Sequence, residues 1–282
     1  MCSSEDGCGP DAARRAFLLG LTASGVAGPL LAQSPASTSV AAAAPTRVLD
    51  DPRAVHGPVT FTHNGQPTIG GYLARPRAEG AHPAVLVVAG NRISEEYIPN
   101  TCAALALAGF VGLAPDIFHI LPETAQTLEA MRAAGRQHSD GDVIQDLFAG
   151  IEYLRAQPFV GTGGMGAVGF CYGGRMAMLL GARAREIDAV VAYHPGAVTA
   201  QEIARLIVPV QVHYGTADRD VSMVQIQSLE AMLRAQHTPI ELNLYPGAQH
   251  GFLAYTRPPR YDAAAGALSW QRSVAFLHRH LS

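Results

Sequence analysis

The stretch Met165-Gly166-Ala167-Val168-Gly169-Phe170-Cys171-Tyr172-Gly173-Gly174 carries the architectural reading of this 282-residue chain. An apolar run ending in Gly-x-Cys-x-Gly-Gly predicts a strand that turns sharply into a helix. It is the nucleophile-elbow pattern with Cys in place of Ser. The spacing has a steric reason: the central residue occupies a tight, strained turn, so the residues two positions away must lack bulk for strand and helix to pack. The sulfur then stands at a helix N-terminus, where the helix dipole favours thiolate. A buried cysteine beside a glycine-rich turn has the same local spelling, so the elbow needs supporting residues elsewhere.

Those residues follow in chain order. A predicted strand, Val208–Gly215, runs into Gly215-Thr216-Ala217-Asp218-Arg219-Asp220-Val221. An acid at a strand's C-terminal end can orient an imidazole; Asp218 is the expected one and Asp220 its local competitor. A further predicted strand, Ile240–Tyr245, precedes Gly247-Ala248-Gln249-His250-Gly251-Phe252, which puts His250 in a turn between small residues. A lone loop histidine is ordinarily a solvated surface group. Nucleophile, acid and base at successive strand ends make a stronger case.

Working outward, β-branched and apolar runs at Ala84–Ala89, Phe110–Ala114, Met165–Phe170 and Ala189–His194 alternate with helical patterns at Tyr97–Ala108, Asp142–Ala156, Ser222–Ala235 and Tyr261–His280. Val59–Thr62 and Gly71–Ala74 read as an opening pair of strands joined through Asn64-Gly65. Such alternation predicts βαβ units and an α/β fold with a mainly parallel central sheet and helices on both faces. The polar, helical segment His119–Gln137 reads as an inserted cap, and Gly161-Thr162-Gly163-Gly164, which lacks the Lys of a phosphate loop, as a tight turn.

Composition narrows the function. Hydrophobic residues at 48% fill a sizeable core, and 20 Lys+Arg against 23 Asp+Glu give a net charge of −3, leaving no basic field for nucleic acid. Four cysteines in so long a chain make no disulfide scaffold. Cys102, in an Ala/Leu-rich helical stretch, reads as buried packing. No histidine pair has zinc-helix spacing and no Cys/His cluster marks a structural metal, so neither metal nor cofactor is expected.

Residues 1–46 read differently from the rest. Arg14-Arg15 precede Ala16-Phe17-Leu18-Leu19, a weakly apolar run and an Ala/Ser/Pro stretch, the organisation of an export signal and linker. The arginine pair resembles a twin-arginine address, although Glu5, Asp6 and Asp11 make the preceding region acidic. Gly20, Gly25, Gly28 and Pro29 interrupt the run, so a stable membrane anchor, which wants about 20 apolar residues, is not expected. These features imply contact with an export machinery, a periplasmic or secreted location, and one domain over residues 47–282.

The chain from about Val59 onward resembles the dienelactone hydrolase family, Cys-nucleophile members of the α/β-hydrolase superfamily. Besides the elbow, the resemblance rests on Gly70-Gly71-Tyr72-Leu73-Ala74-Arg75-Pro76, Leu113-Ala114-Pro115-Asp116, Gly247–Phe252, Arg260-Tyr261-Asp262 and Trp270-Gln271-Arg272. It implies an α/β-hydrolase fold and a small-molecule ester or lactone substrate. It also implies a triad of Cys171, Asp218 and His250, with an oxyanion hole made by the N–H groups of Tyr172 and of Asn91 or its neighbour Gly90. Two departures stand out. Gly90 replaces a Glu that many relatives carry before an Asn-Arg pair, with Glu95 and Glu96 nearby. Ala254 stands where the archetypes place a carboxylate-gripping Arg, with Arg257 three residues later. Arg92 and Arg257 are the candidate substrate-binding residues, a solvated Arg92 being the plainer alternative. His194-Pro195-Gly196 follows a strand and could line the pocket mouth, but a structural turn is the plainer reading. Two other functions fit the same residues: a catalytically silent small-molecule-binding protein, and a thioesterase or amidase. The sequence assigns no oligomeric state.

Overall fold

The computed structural model describes residues 46–62, 68–121, 133 and 138–281. Among these residues eight strands form one sheet: β1 Ala54–Phe61, β2 Ile69–Pro76, β3 His82–Val88, β4 Val111–Pro115, β5 Val160–Phe170, β6 Ile187–Tyr193, β7 Val210–Gly215 and β8 Ile240–Tyr245. Their spatial order is β1-β2-β4-β3-β5-β6-β7-β8. Strand β2 pairs antiparallel with β1 and β4, and the other pairings are parallel. This is the α/β-hydrolase arrangement expected from the sequence.

Side-chain alternation in the central strands explains why both faces are covered. In β3, Ala84, Leu86 and Val88 join one core cluster, while Val85 and Val87 join the other. Among the described residues five helices are named in chain order: α1 Tyr97–Leu107, α2 Asp140–Arg155, α3 Tyr172–Gly181, α4 Met223–Ala235 and α5 Ala263–Leu281. Helices α2, α3 and α4 supply Leu147, Met176, Leu180, Leu229 and Leu233 to the first cluster. Helices α1 and α5 supply Leu105, Trp270 and Phe276 to the second. Cys102 lies fully buried in α1, as expected.

The helix boundaries have local causes. Ser139 caps α2 in a reciprocal box with Asp142, which starts the helix two residues before the predicted Asp142. Ser222 caps α4 through the Gln225 amide. The Gly161–Gly164 stretch is not the expected turn. It belongs to β5, where the pairing with β3 shifts register between His82 and Ala84 and the bulge takes up the extra residues. The Met165 amide at its end donates to Asp188 Oδ2 at 3.0 Å. Residues 1–45, the Asn64-Gly65 turn, and most of the proposed cap at 119–137 lie outside the described residues.

Candidate active site

Strand β5 ends at Phe170 and α3 begins at Tyr172, leaving Cys171 alone to reverse the chain at φ 54°, ψ −116°. That conformation is strained for a residue with a side chain and costs on the order of 1–3 kcal/mol. The surrounding packing imposes it. A Cβ at Gly169 would lie 2.1 Å from the Gly173 carbonyl oxygen, and one at Gly173 would lie 2.0 Å from that of Val88. The Cys171 amide donates to Tyr193 O at 3.0 Å, and its carbonyl accepts from the Arg175 and Gly196 amides. The sulfur is thus held at the C-terminal edge of the sheet, half-buried.

His250 and Asp218 come to the same edge from the loops after β8 and β7. His250 Nδ1 lies 2.8 Å from Asp218 Oδ2. A carboxylate only accepts, so Nδ1 carries the proton and donates, leaving Nε2 for Cys171. The Asp218 side chain is fully buried, and its Oδ1 accepts from the Asp220 and Val221 amides at 2.8 and 2.9 Å. Burial pushes the Asp218 carboxyl up, but the His250 and amide hydrogen bonds outweigh it and hold it below the ordinary value. Asp220 instead turns outward to Arg260 at 2.8 Å, with half its side chain exposed. The geometry therefore separates the two acids that sequence left in competition.

Burial pulls the His250 imidazole down, yet its bonds to Asp218 and Cys171 prevail and push it up to about 9. A ring nitrogen of His250, one of His194 and the Cys171 sulfur all lie within 4.8 Å of one another. His194, which in sequence reads more plainly as a structural turn than as a lining of the pocket mouth, lies against the imidazole. Its ring packs on His250 at 4.0 Å between centroids, it is buried at φ 36°, and its Nδ1 has no hydrogen-bond partner among the described residues. Burial, then the neighbouring His250 charge, drives it well below the ordinary histidine range, so it is a neutral wall for the imidazole. The available signal was its place at the end of β6, on the edge that also presents Cys171. Cys102, by contrast, has its thiol pushed up by burial and is no competing nucleophile.

The loop after β3 faces the elbow. A Cβ on Gly90 would meet Phe170 O at 2.6 Å and Cys171 Cβ at 3.1 Å, so a residue with a side chain at 90 cannot keep this backbone path. The Asn91 and Tyr172 amides have no acceptor among the described residues. Tyr172 is further fixed by its hydroxyl, which donates to Asp140 at 2.8 Å, while Arg175 pairs with the same carboxylate at 2.8 Å.

Glu95, near the position-90 departure in sequence, pairs across the fold with Arg257. Its Oε1 and Oε2 accept from Arg257 Nε and Nη2 at 2.8 and 2.7 Å, and Oε2 also accepts from the Asn91 side chain. Glu96 faces elsewhere, accepting from Tyr255 and Arg47. Arg257 is therefore joined to the loop after β3; burial pulls its pKa down, but the bond to Glu95 prevails and raises it. Arg92 is not the solvated group of the plainer reading. It is 8% exposed, lies 3.6 Å from Asp116 and donates to Leu121 O.

Comparison with known proteins identifies the family. The dienelactone hydrolase family matches the chain over residues 69–281. A Synechocystis protein provisionally named carboxymethylenebutenolidase is 29% identical over 220 residues, covering 72% of this chain and 89% of its own. A Bradyrhizobium protein provisionally named 2-oxo-3-(5-oxofuran-2-ylidene)propanoate lactonase is 30% identical over 225 residues, covering 74% and 89%. The crystal structure of a provisionally named dienelactone hydrolase from Klebsiella pneumoniae superposes with a TM-score of 0.74 at 25% identity, over 80% of this chain and 99% of that one.

Proposed function

The chain belongs to the dienelactone hydrolase family, and we propose that it hydrolyses carboxylic esters or lactones through a thioester on Cys171, with His250 as general base and Asp218 as the acid that orients it. The observation that carries this reading is His250, bonded at Nδ1 to a buried Asp218 and turned to Cys171 on its other side.

In the first half-reaction the thiol proton passes to His250 Nε2 and the thiolate attacks the carbonyl carbon. The carbonyl oxygen takes the negative charge, and the free N–H groups of Tyr172 and Asn91 are the donors that would receive it. As the tetrahedral carbon collapses, the alkoxide leaves with the proton held by His250 and a thioester remains. His250 then deprotonates water, the resulting hydroxide adds to the thioester, and collapse returns the acid and the Cys171 thiolate. In a lactone the leaving alkoxide stays tethered to the acyl group.

Arg257 is already engaged by Glu95, so the site favours neutral esters and lactones over substrates that need a free guanidinium for a carboxylate. The proposal includes export of the folded enzyme by the twin-arginine route, supported by Arg14-Arg15-Ala16-Phe17-Leu18. Export after folding would keep Cys171 sheltered from oxidants.

The test is a panel of p-nitrophenyl esters, simple lactones and a thioester, run with the wild type and with Cys171→Ala. Ester or lactone turnover by the wild type, lost in Cys171→Ala at unchanged melting temperature, is the expected result. Turnover of the thioester alone would make the protein a thioesterase, and turnover of none would make it a binding protein.

A further inference from the structure

A second cluster of metal-ligating side chains lies outside these residues. His119 follows β4, His138 precedes the Ser139 cap of α2, and Asp146 sits within α2. His119 Nε2 and His138 Nε2 converge on one carboxylate oxygen, Asp146 Oδ2, at 3.2 and 2.7 Å. The imidazoles meet edge to face at 5.4 Å between centroids. One donor atom from each residue fits within 4.8 Å of the others. The three side chains are 11–13% exposed, so the cluster is sheltered without being sealed from water.

We propose that His119, His138 and Asp146 form a zinc site with two imidazole nitrogens, one carboxylate oxygen and a fourth position open to water. Tetrahedral bonds of about 2.0–2.1 Å put neighbouring donors about 3.3 Å apart. The His119–Asp146 separation meets that value, and the His138–Asp146 separation must open by about 0.6 Å. The donor set suits zinc and its cobalt surrogate; calcium and magnesium prefer oxygen ligands throughout. Protons balance simply. A neutral imidazole keeps its proton by moving it from Nε2 to Nδ1, and a protonated one releases a proton to solvent. Asp116 lies close enough to His119, and Asp142 to His138, for their charges to be felt, adding negative potential around the cation.

The ion would tie together the two ends of the chain between His119 and His138 and fasten both to α2. Phe118, beside His119, meets the Tyr172 ring at 6.3 Å, so the site borders the elbow without sharing a residue with it.

The experiment uses the full chain after chelator treatment, titrated with zinc chloride by calorimetry and with cobalt by absorption spectroscopy. One equivalent of zinc should bind, with affinity lowered about a hundredfold or more in Asp146→Asn and His138→Gln and unchanged in Cys171→Ala. Metal-free melting curves check that the variants fold. If either does not, the wild-type cobalt spectrum decides: tetrahedral d–d bands without thiolate charge transfer support the site. No saturable zinc uptake would overturn the proposal. So would uptake that disappears in Cys171→Ala, or a thiolate charge-transfer band, because the ion would then sit on Cys171, His194 and His250. Each outcome leaves the hydrolase reading to be judged by its own assay.

Discussion

Replacing Asp218 with asparagine preserves side-chain size and removes the charge behind His250, and the cost follows from the bonds it makes. Oδ1 accepts the Asp220 and Val221 amides at 2.8 and 2.9 Å. If the amide oxygen of asparagine keeps those bonds, its NH2 faces His250 Nδ1. The imidazole must then accept at Nδ1 and carry its proton on Nε2, the nitrogen needed to take the thiol proton. The rise of His250 from 6.5 to about 9 corresponds to about 3 kcal/mol, shared between Asp218 and Cys171. With the wrong tautomer added, kcat for p-nitrophenyl acetate should fall about a hundredfold to ten-thousandfold. The pH profile gives an independent reading. The proton that His250 takes from Cys171 must reach the leaving alkoxide, and a raised histidine keeps it until pH passes its shifted value, so wild-type acylation by an alkyl ester should decline above about 9. In Asp218→Asn the decline should move down toward about 6.5. Asp220→Asn breaks only the exposed pair with Arg260 and should leave kcat within about twofold. An Asp218→Asn enzyme within about tenfold of wild type with an unmoved alkaline limb would refute the reasoning. So would Asp220→Asn being the more damaging change.

Three further outcomes are expected. Gly90→Ala places a Cβ against the Phe170 carbonyl and Cys171, so ester kcat should drop about tenfold and stability by about 1–3 kcal/mol; wild-type kcat and melting temperature would show that the loop yields freely. Glu95→Gln frees Arg257 from its carboxylate partner, so kcat/KM for a carboxylate-bearing lactone should rise several-fold relative to a neutral ester, as about expected when a guanidinium is released for bidentate pairing. An unchanged ratio would show that Arg257 does not face substrate. Arg14→Lys with Arg15→Lys should trap active, unprocessed enzyme in the cytoplasm, read by fractionation and N-terminal sequencing; continued processing and export would reject the twin-arginine route.

Much of this was legible in the chain. The order of strands and helices could be read because runs such as Ala84–Ala89 are long, apolar and β-branched, as central strands covered on both faces must be. The elbow could be read because its glycines answer a local steric demand: only hydrogen fits at Gly169 and Gly173. The order Cys171, Asp218, His250 followed from loops at strand ends. What stayed hidden depends on pairing across the fold. Asp218 was preferred to Asp220 on position alone, and the direction of the two side chains within that loop was beyond the sequence. Glu95 meets Arg257 across 162 residues, and no spacing rule reaches that far. Between a pocket lining and a structural turn, His194 could be placed only once β6 was laid beside β5 and β7. Arg92 could be read as facing substrate or as a solvated arginine, and its contacts with Asp116 and the Leu121 carbonyl were beyond the sequence. The cluster of His119, His138 and Asp146 escaped motif reading because its members come from a turn, a cap and a helix.

The central claim is a covalent acyl group on the Cys171 sulfur. The most direct measurement is acid-quenched mass spectrometry of the full chain during turnover of a p-nitrophenyl ester with a slowly hydrolysed acyl group. The account predicts a mass increase of one acyl group, mapped to the peptide bearing Cys171, removed by hydroxylamine and absent from Cys171→Ala. Acylation of a different residue, or continued turnover by Cys171→Ala, would contradict it.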